Sequence, residues 1–167
     1  MKRHYLLALS LGAALSLVAV LLLSVNAVAQ TPTLTQLVMI LDGSDSIGID
    51  GWETVTEGRA SAIENPTCIP QDGSVELTVI QFGYEDDTYD KTDLLYYAKV
   101  EIEPIIITAG NAGIVADDVR EIPYGGGGPT VPGGDTPMAH GIRLAAQTVL
   151  NSPSFSTDAK QAINLMT

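Results

Sequence analysis

Cysteine and basic side chains are the scarcest chemistry in this chain, and each scarcity excludes something. Cys68 is alone in 167 residues, so no disulfide forms within the chain, and no histidine stands in a recognisable arrangement with it that would make a nucleophile. Eight Lys and Arg face twenty Asp and Glu, a formal charge of −12, which argues against nucleic acid or an anionic membrane surface as partner. Catalytic signatures are missing as well. The glycines Gly125 to Gly128 run into Pro129 and Thr130 without the Gly-Lys-Ser/Thr ending of a phosphate loop, and no Gly-x-Ser-x-Gly elbow occurs. No pair of carboxylates is arranged as glycoside hydrolysis needs. The expectation is a protein that is not an enzyme.

What is present begins with an export signal. Lys2, Arg3 and His4 precede an apolar stretch from Leu6 to Val25, and Ala27-Val28-Ala29 supplies the small-x-small pattern of a signal-peptidase site. Residues 1–29 therefore read as a signal peptide, cleaved after Ala29. An uncleaved anchor is the competing reading, since about 20 apolar residues cross a bilayer, and only then would the protein touch a membrane. Either way the domain is exported: secreted, periplasmic or held at the cell surface. Loss of Lys2 and Arg3 moves the formal charge from −12 to −14, because every acidic residue lies beyond Ala29. In such a compartment the lone Cys68 reads either as half of a disulfide with a cysteine beyond Thr167 or as a buried apolar thiol.

The most informative stretch is Val38 to Gly48, an apolar strand that ends in Asp42, Ser44 and Ser46 at alternate positions. A loop bending at Gly43 and Gly48 gathers such i, i+2 and i+4 oxygens around one point. One carboxylate with two hydroxyls suits a hard divalent cation that keeps several waters and leaves room for an outside ligand. The same residue types also serve as turn and N-cap residues with no metal, and Asp45 and Asp50 add acidity without alternation. A second acidic run, Glu85 to Asp93, lacks the glycine and closing glutamate of a calcium loop and reads as surface.

Asp42-Gly43-Ser44-Asp45-Ser46 after a buried strand resembles the Asp-x-Ser-x-Ser motif of the von Willebrand factor type A domain. The glycine-rich segment Gly133-Gly134-Asp135-Thr136-Pro137 before a helix is similar to the loop that carries that family's distant threonine. The resemblance spans residues 33–167 and implies a metal-ion-dependent adhesion site. In it Ser44, Ser46 and Thr136 ligate magnesium or manganese, and Asp42 holds metal-bound waters. A protein partner then donates a carboxylate to the ion. The family's last motif, an Asp after a hydrophobic strand, is not reached by Ala162 to Thr167, so the chain reads as a partial domain lacking its carboxyl-terminal part. Two alternatives remain open: a structural or sensor domain with a vestigial site, and a recruitment module for a catalytic part beyond Thr167.

The pattern along the chain gives the fold class. Leu37 to Leu41 predicts a buried central strand. Trp52 to Asn65 predicts a helix with Trp52, Val55, Ala62 and Ile63 inward, ended by Pro66. Val75 to Phe82 alternates as a strand, and Tyr96 to Thr108 predicts an edge strand because Pro104 interrupts it. Asn111 to Glu121 predicts a short helix with Ile114, Val115 and Val119 inward. Gly125 to Gly134 predicts a loop of little intrinsic order. The next helix is capped by Asp135 or Thr136, has Pro137 in first position, and carries a stripe of Met138, Ile142, Ala145 and Val149. His140 on it reads as a packing or surface residue. The sum is an α/β, doubly wound, mostly parallel Rossmann-like sheet with helices on both faces.

Overall fold

The apolar run Leu37 to Leu41 forms the middle of strand β1, Thr35–Asp42, and everything else is arranged around it. The computed structural model describes residues 34–83, 92–93, 97–127 and 137–167. The expected signal peptide, most of the acidic run at Glu85 and the metal-site Thr136 lie outside them.

Strand β2, Asp72–Phe82, lies parallel to β1 in a register running from Thr35 opposite Val75 to Asp42 opposite Phe82. On the other side β4, Lys160–Met166, is also parallel to β1. Strand β3, Ala98–Thr108, runs antiparallel to β2, giving the order β3-β2-β1-β4. Pro104 therefore sits on an edge strand, as its missing N–H requires, and the β2–β3 register slips between Leu77 and Val79 opposite it.

Alternation along β1 and β2 divides the core into two layers. Met39, Leu41, Leu77 and Val79 point to one face, covered by helix α1, Gly48–Glu64, and helix α2, Ala112–Arg120. Val38, Ile40, Ile80 and Phe82 point to the other, covered by α3, Met138–Asn151. Each such fully buried aliphatic or aromatic side chain contributes about 1.5–3 kcal/mol. Helix α1 stops at Asn65, whose backbone is extended at φ −95° and ψ 107° as the following Pro66 demands.

The expected element types hold, but several faces turn differently. Helix α1 starts at Gly48, four residues ahead of Trp52; Val55 packs against the core as expected but only partly buried, and Thr56, Arg59 and Ala60 are buried beside it while Ala62 stays half-buried. Arg59 is tolerated because its guanidinium donates to Asn164 Oδ1 of β4 at 2.7 Å. On α2, Ile114 is 64% exposed; Ala112 and Ala116 face the core instead, and their small side chains bring the helix close. On α3, Ile142 is exposed and Gly141 and Leu144 take its place. The cause is a close approach: a Cβ at Gly141 would lie 3.2 Å from both Ile40 and Phe82, so the helix rests on the sheet at its glycine. Pro137 occupies the N-cap position of α3 rather than its first turn. Tyr124–Gly127, overlapping the start of the Gly125 to Gly134 stretch expected to have little order, forms a 3-10 turn. Cys68 is exposed, which overturns the buried-thiol reading, since it lies in the turn after α1 rather than in the core.

Helices α1 and α2 are also tied at their surface. Arg120 donates to Glu57 and Glu64 of α1 at 2.9–3.2 Å and to Asp117 of its own helix at 3.0 Å. Its hydrogen bonds hold the Glu57 and Glu64 carboxyls below their ordinary value of 4.5. A carboxylate with a depressed folded pKa stabilises the fold above its unfolded pKa, and that stability is lost as pH falls through the folded value. Arg120→Ala is therefore expected to lower the urea midpoint at neutral pH and to flatten its decline below about pH 4.5, in a titration from pH 7 to pH 3. An unchanged acid limb would show that the cluster adds nothing.

Candidate cation site at the carboxyl edge of the sheet

At β1 the chain's crossovers turn to opposite faces, so the crevice beyond its carboxyl end is where an open α/β sheet binds ligands. Asp42 is the last residue of β1 and is only 3% exposed. Its Oδ1 accepts from the Ser44 N–H at 2.9 Å, which closes the turn and aims the carboxylate into the loop. Gly43 N–H donates to Phe82 O at 2.7 Å, extending the β1–β2 ladder one step past the strand. Ser44 is buried and Ser46 exposed, and their Oγ atoms lie 3.1 Å apart.

Two glycines allow this loop to lie against the end of β2. A Cβ on Gly43 would fall 2.5 Å from Gln81 Nε2, and one on Gly83 would fall 2.5 Å from Ser44 N. Gly83 also adopts φ +94°, a region L side chains rarely enter. From the other side the Tyr124 hydroxyl donates to Ser44 O at 2.9 Å. Tyr124 packs against Trp52 with ring centroids 5.8 Å apart, and Trp52 Nε1 donates to Ile122 O at 3.0 Å. Loop, α1 and the 3-10 turn are thus locked together.

The hydroxyl pair has the separation a small hard cation needs. Adjacent oxygens in an octahedron of about 2.1 Å metal–oxygen bonds lie about 3.0 Å apart. The two hydroxyls, hydrogen-bonded to each other at 3.1 Å, stand near that spacing. Among the described residues no three His, Cys, Asp or Glu side chains gather closely enough to hold a metal. An ion at this edge would therefore rest on hydroxyls with Asp42 and keep much of its positive charge.

The structure brings Asp42, Ser44 and Ser46 together, and Asp45 and Asp50 stay exposed outside the group. Thr136 lies outside the described residues, but the helix after it begins at this edge: Gly141, one turn inside α3, touches Ile40 and Phe82 near the strand ends. His140 packs as expected, with its ring 4.8 Å from that of Tyr97. Sequence reasoning missed Gly83 and Tyr124, the two residues that clamp the loop. A glycine directly after the apolar strand Val75 to Phe82 was the available signal for the first; no local signal marks the second.

A mostly parallel, open α/β sheet with helices on both faces and a hydroxyl-bearing loop at its switch strand defines the class of fold. Solved structures share the α/β fold. The pilus adhesin SpaC from Lactobacillus rhamnosus GG, in its open conformation, is 14% identical with a TM-score of 0.57, over 83% of this chain and 15% of that one. Three N-terminal domains of the type V pilus tip protein Mfa5 from Porphyromonas gingivalis match at 14% identity and a TM-score of 0.54, over 80% of this chain and 19% of that one. Proximal thread matrix protein 1 from the mussel byssus matches at 15% identity and a TM-score of 0.53, over 81% of this chain and 30% of that one. The chain thus spans less than a third of the length of these structures, and at such identities the likeness establishes the fold. No protein-family model and no curated protein matches the chain.

Proposed function

We propose that this chain is the ligand-binding part of an exported surface adhesion domain of the von Willebrand factor type A kind, which captures a protein partner through a magnesium or manganese ion. Ser44, Ser46 and Thr136 offer hydroxyl oxygens to the ion, and Asp42 orients the loop and holds ion-bound water. The ion supplies an electrophilic point on which a carboxylate of the partner completes the coordination. Few carboxylates at the edge leave that point positive enough to attract an acidic group from an otherwise anionic protein surface.

The observation that carries this reading is the pair of hydroxyls 3.1 Å apart above Asp42 at the switch strand. The pilus adhesins among the structures of similar fold and the signal-like segment 1–29 support a place outside the cell. Among the described residues no helix is long and apolar enough to cross a membrane.

The test uses short peptides bearing a single Asp or Glu, with Asn and Gln counterparts, titrated against the protein by NMR in magnesium and in EDTA. The acidic peptides are expected to bind in magnesium alone, and their amide counterparts in neither condition. Equal binding of acid and amide peptides, or binding undiminished by EDTA, would contradict the reading.

A further inference from the structure

Arg59 is a buried charge that no opposite charge balances. Only 9% of it is exposed, and among the described residues no carboxylate lies within 4 Å of its guanidinium. Burial alone acts on the guanidinium and pushes it below its ordinary range. Its bonds are as incomplete as its charge. Nε is sealed off without an acceptor, Nη2 donates to Asn164 Oδ1 at 2.7 Å, and Nη1 has no partner among the described residues and is not sealed. Buried cations are ordinarily paired, because an isolated one is costly in surroundings of low polarity. A carboxylate that reaches Nη1 therefore gains more here than at a solvated arginine.

The way in runs along β4. Asn164 stands opposite Met39, which faces α1, so Arg59 reaches from under α1 to the outermost strand of the sheet. Ala162, Asn164 and Met166, the β4 side chains on that face, are all exposed. Lys160 N–H donates to Leu34 O, so residues 160, 162, 164 and 166 bond toward β1, and the N–H and C=O groups of Gln161, Ile163 and Leu165 point to the free side. Between Gln161 and Met166 the strand carries neither proline nor charge, the means by which edges are kept from pairing. We propose that β4 takes up an extended segment of a separate polypeptide as a further strand, with one Asp or Glu of that segment seated on Arg59 beside Asn164. The ladder supplies affinity and the acid supplies specificity. The formal charge of −12 favours a segment with that single acid over a strongly acidic one. None of the cation-edge residues takes part, and the proposal stands without that edge.

The experiment is an NMR titration of isotope-labelled protein, in EDTA, with an end-capped seven-residue peptide of alternating threonine and valine that carries a central glutamate, and with its glutamine counterpart. Saturable shifts are expected on β4 and at Arg59, with slowed hydrogen exchange at Gln161, Ile163 and Leu165. The glutamine peptide should bind about tenfold more weakly. Asn164→Asp gives Arg59 a carboxylate at an exposed position and should erase that preference. Arg59→Gln should erase it too, and Asn164→Asp alone decides if loss of Arg59 disturbs α1. Peptides of three residues, too short to span Gln161 to Leu165, should not shift β4, which keeps this test apart from that of the cation edge. Equal binding of the two long peptides by the parent protein, or a preference that survives Asn164→Asp, would overturn the proposal. Acetate binding at Arg59 as tightly as the glutamate peptide would overturn the strand. Broadening of β4 signals with protein concentration alone would assign the edge to a second copy and overturn the separate partner.

Discussion

Gly83→Ala is expected to be the most damaging single-methyl change in the described fold, costing about 3 kcal/mol or more. Two costs coincide there. The backbone at φ +94° is strained for any residue with a Cβ, at about 1–3 kcal/mol. The new methyl would also stand 2.5 Å from Ser44 N and 2.8 Å from Gly43 C, which are backbone atoms with no rotamer to turn away. Relief requires the loop to lift from β2, and overpacking of this kind costs about 1–3 kcal/mol. The atom displaced first is the donor to Asp42 Oδ1, so the cation edge and the fold should suffer together. Gly58→Ala is the control. Gly58 is exposed on α1, where a Cβ would meet nothing within 4 Å, and the change should stabilise by about 0.5–1 kcal/mol. Urea midpoints of the two variants should move in opposite directions; a Gly83→Ala midpoint near that of the parent would show that the loop is not pressed on β2.

The second large effect separates binding from folding. Ser44→Ala with Ser46→Ala removes both hydroxyls, yet the bonds that hold the loop are made by other atoms: Gly43 N–H to Phe82 O, Ser44 N–H to Asp42 Oδ1, and Tyr124 hydroxyl to Ser44 O. Among the described residues the hydroxyls bond only each other, and replacing both partners of such a pair by apolar groups is nearly neutral. Stability without metal should therefore change by less than about 1 kcal/mol. Metal affinity should fall by more than the roughly 10–100-fold that loss of a merely supporting group costs. Asp42→Ala should behave differently, because it strips the acceptor from the buried Ser44 N–H and damages the loop itself.

The contrast between these two variants reflects what was legible in the amino-acid sequence. The strand Leu37 to Leu41 and the alternation of Asp42, Ser44 and Ser46 are local signals, a continuous apolar run and a period of two, and both survive folding because β1 is buried on both faces. Pro104 correctly marked an edge strand, since a missing N–H has one consequence wherever it occurs. What failed was the rotation of helices. Periodicity places an apolar stripe on α3 but cannot see that Gly141 will be pressed on Ile40 and Phe82, which turns Ile142 outward. The buttress of the site was equally hidden: Tyr124 meets the loop from 80 residues away. Such a contact follows from the path of α2 over the sheet, which no spacing within the loop encodes.

Isothermal titration of magnesium into the protein and into the Ser44→Ala, Ser46→Ala variant, paired with melting curves, tests the central claim most directly. The account predicts a single saturable site in the parent and a melting temperature that rises with magnesium. The rise corresponds to about 2.7 kcal/mol at a hundred times Kd, and both effects vanish in the variant. Equal magnesium binding by parent and variant, or no binding by either, would contradict a cation held by the Ser44 and Ser46 hydroxyls.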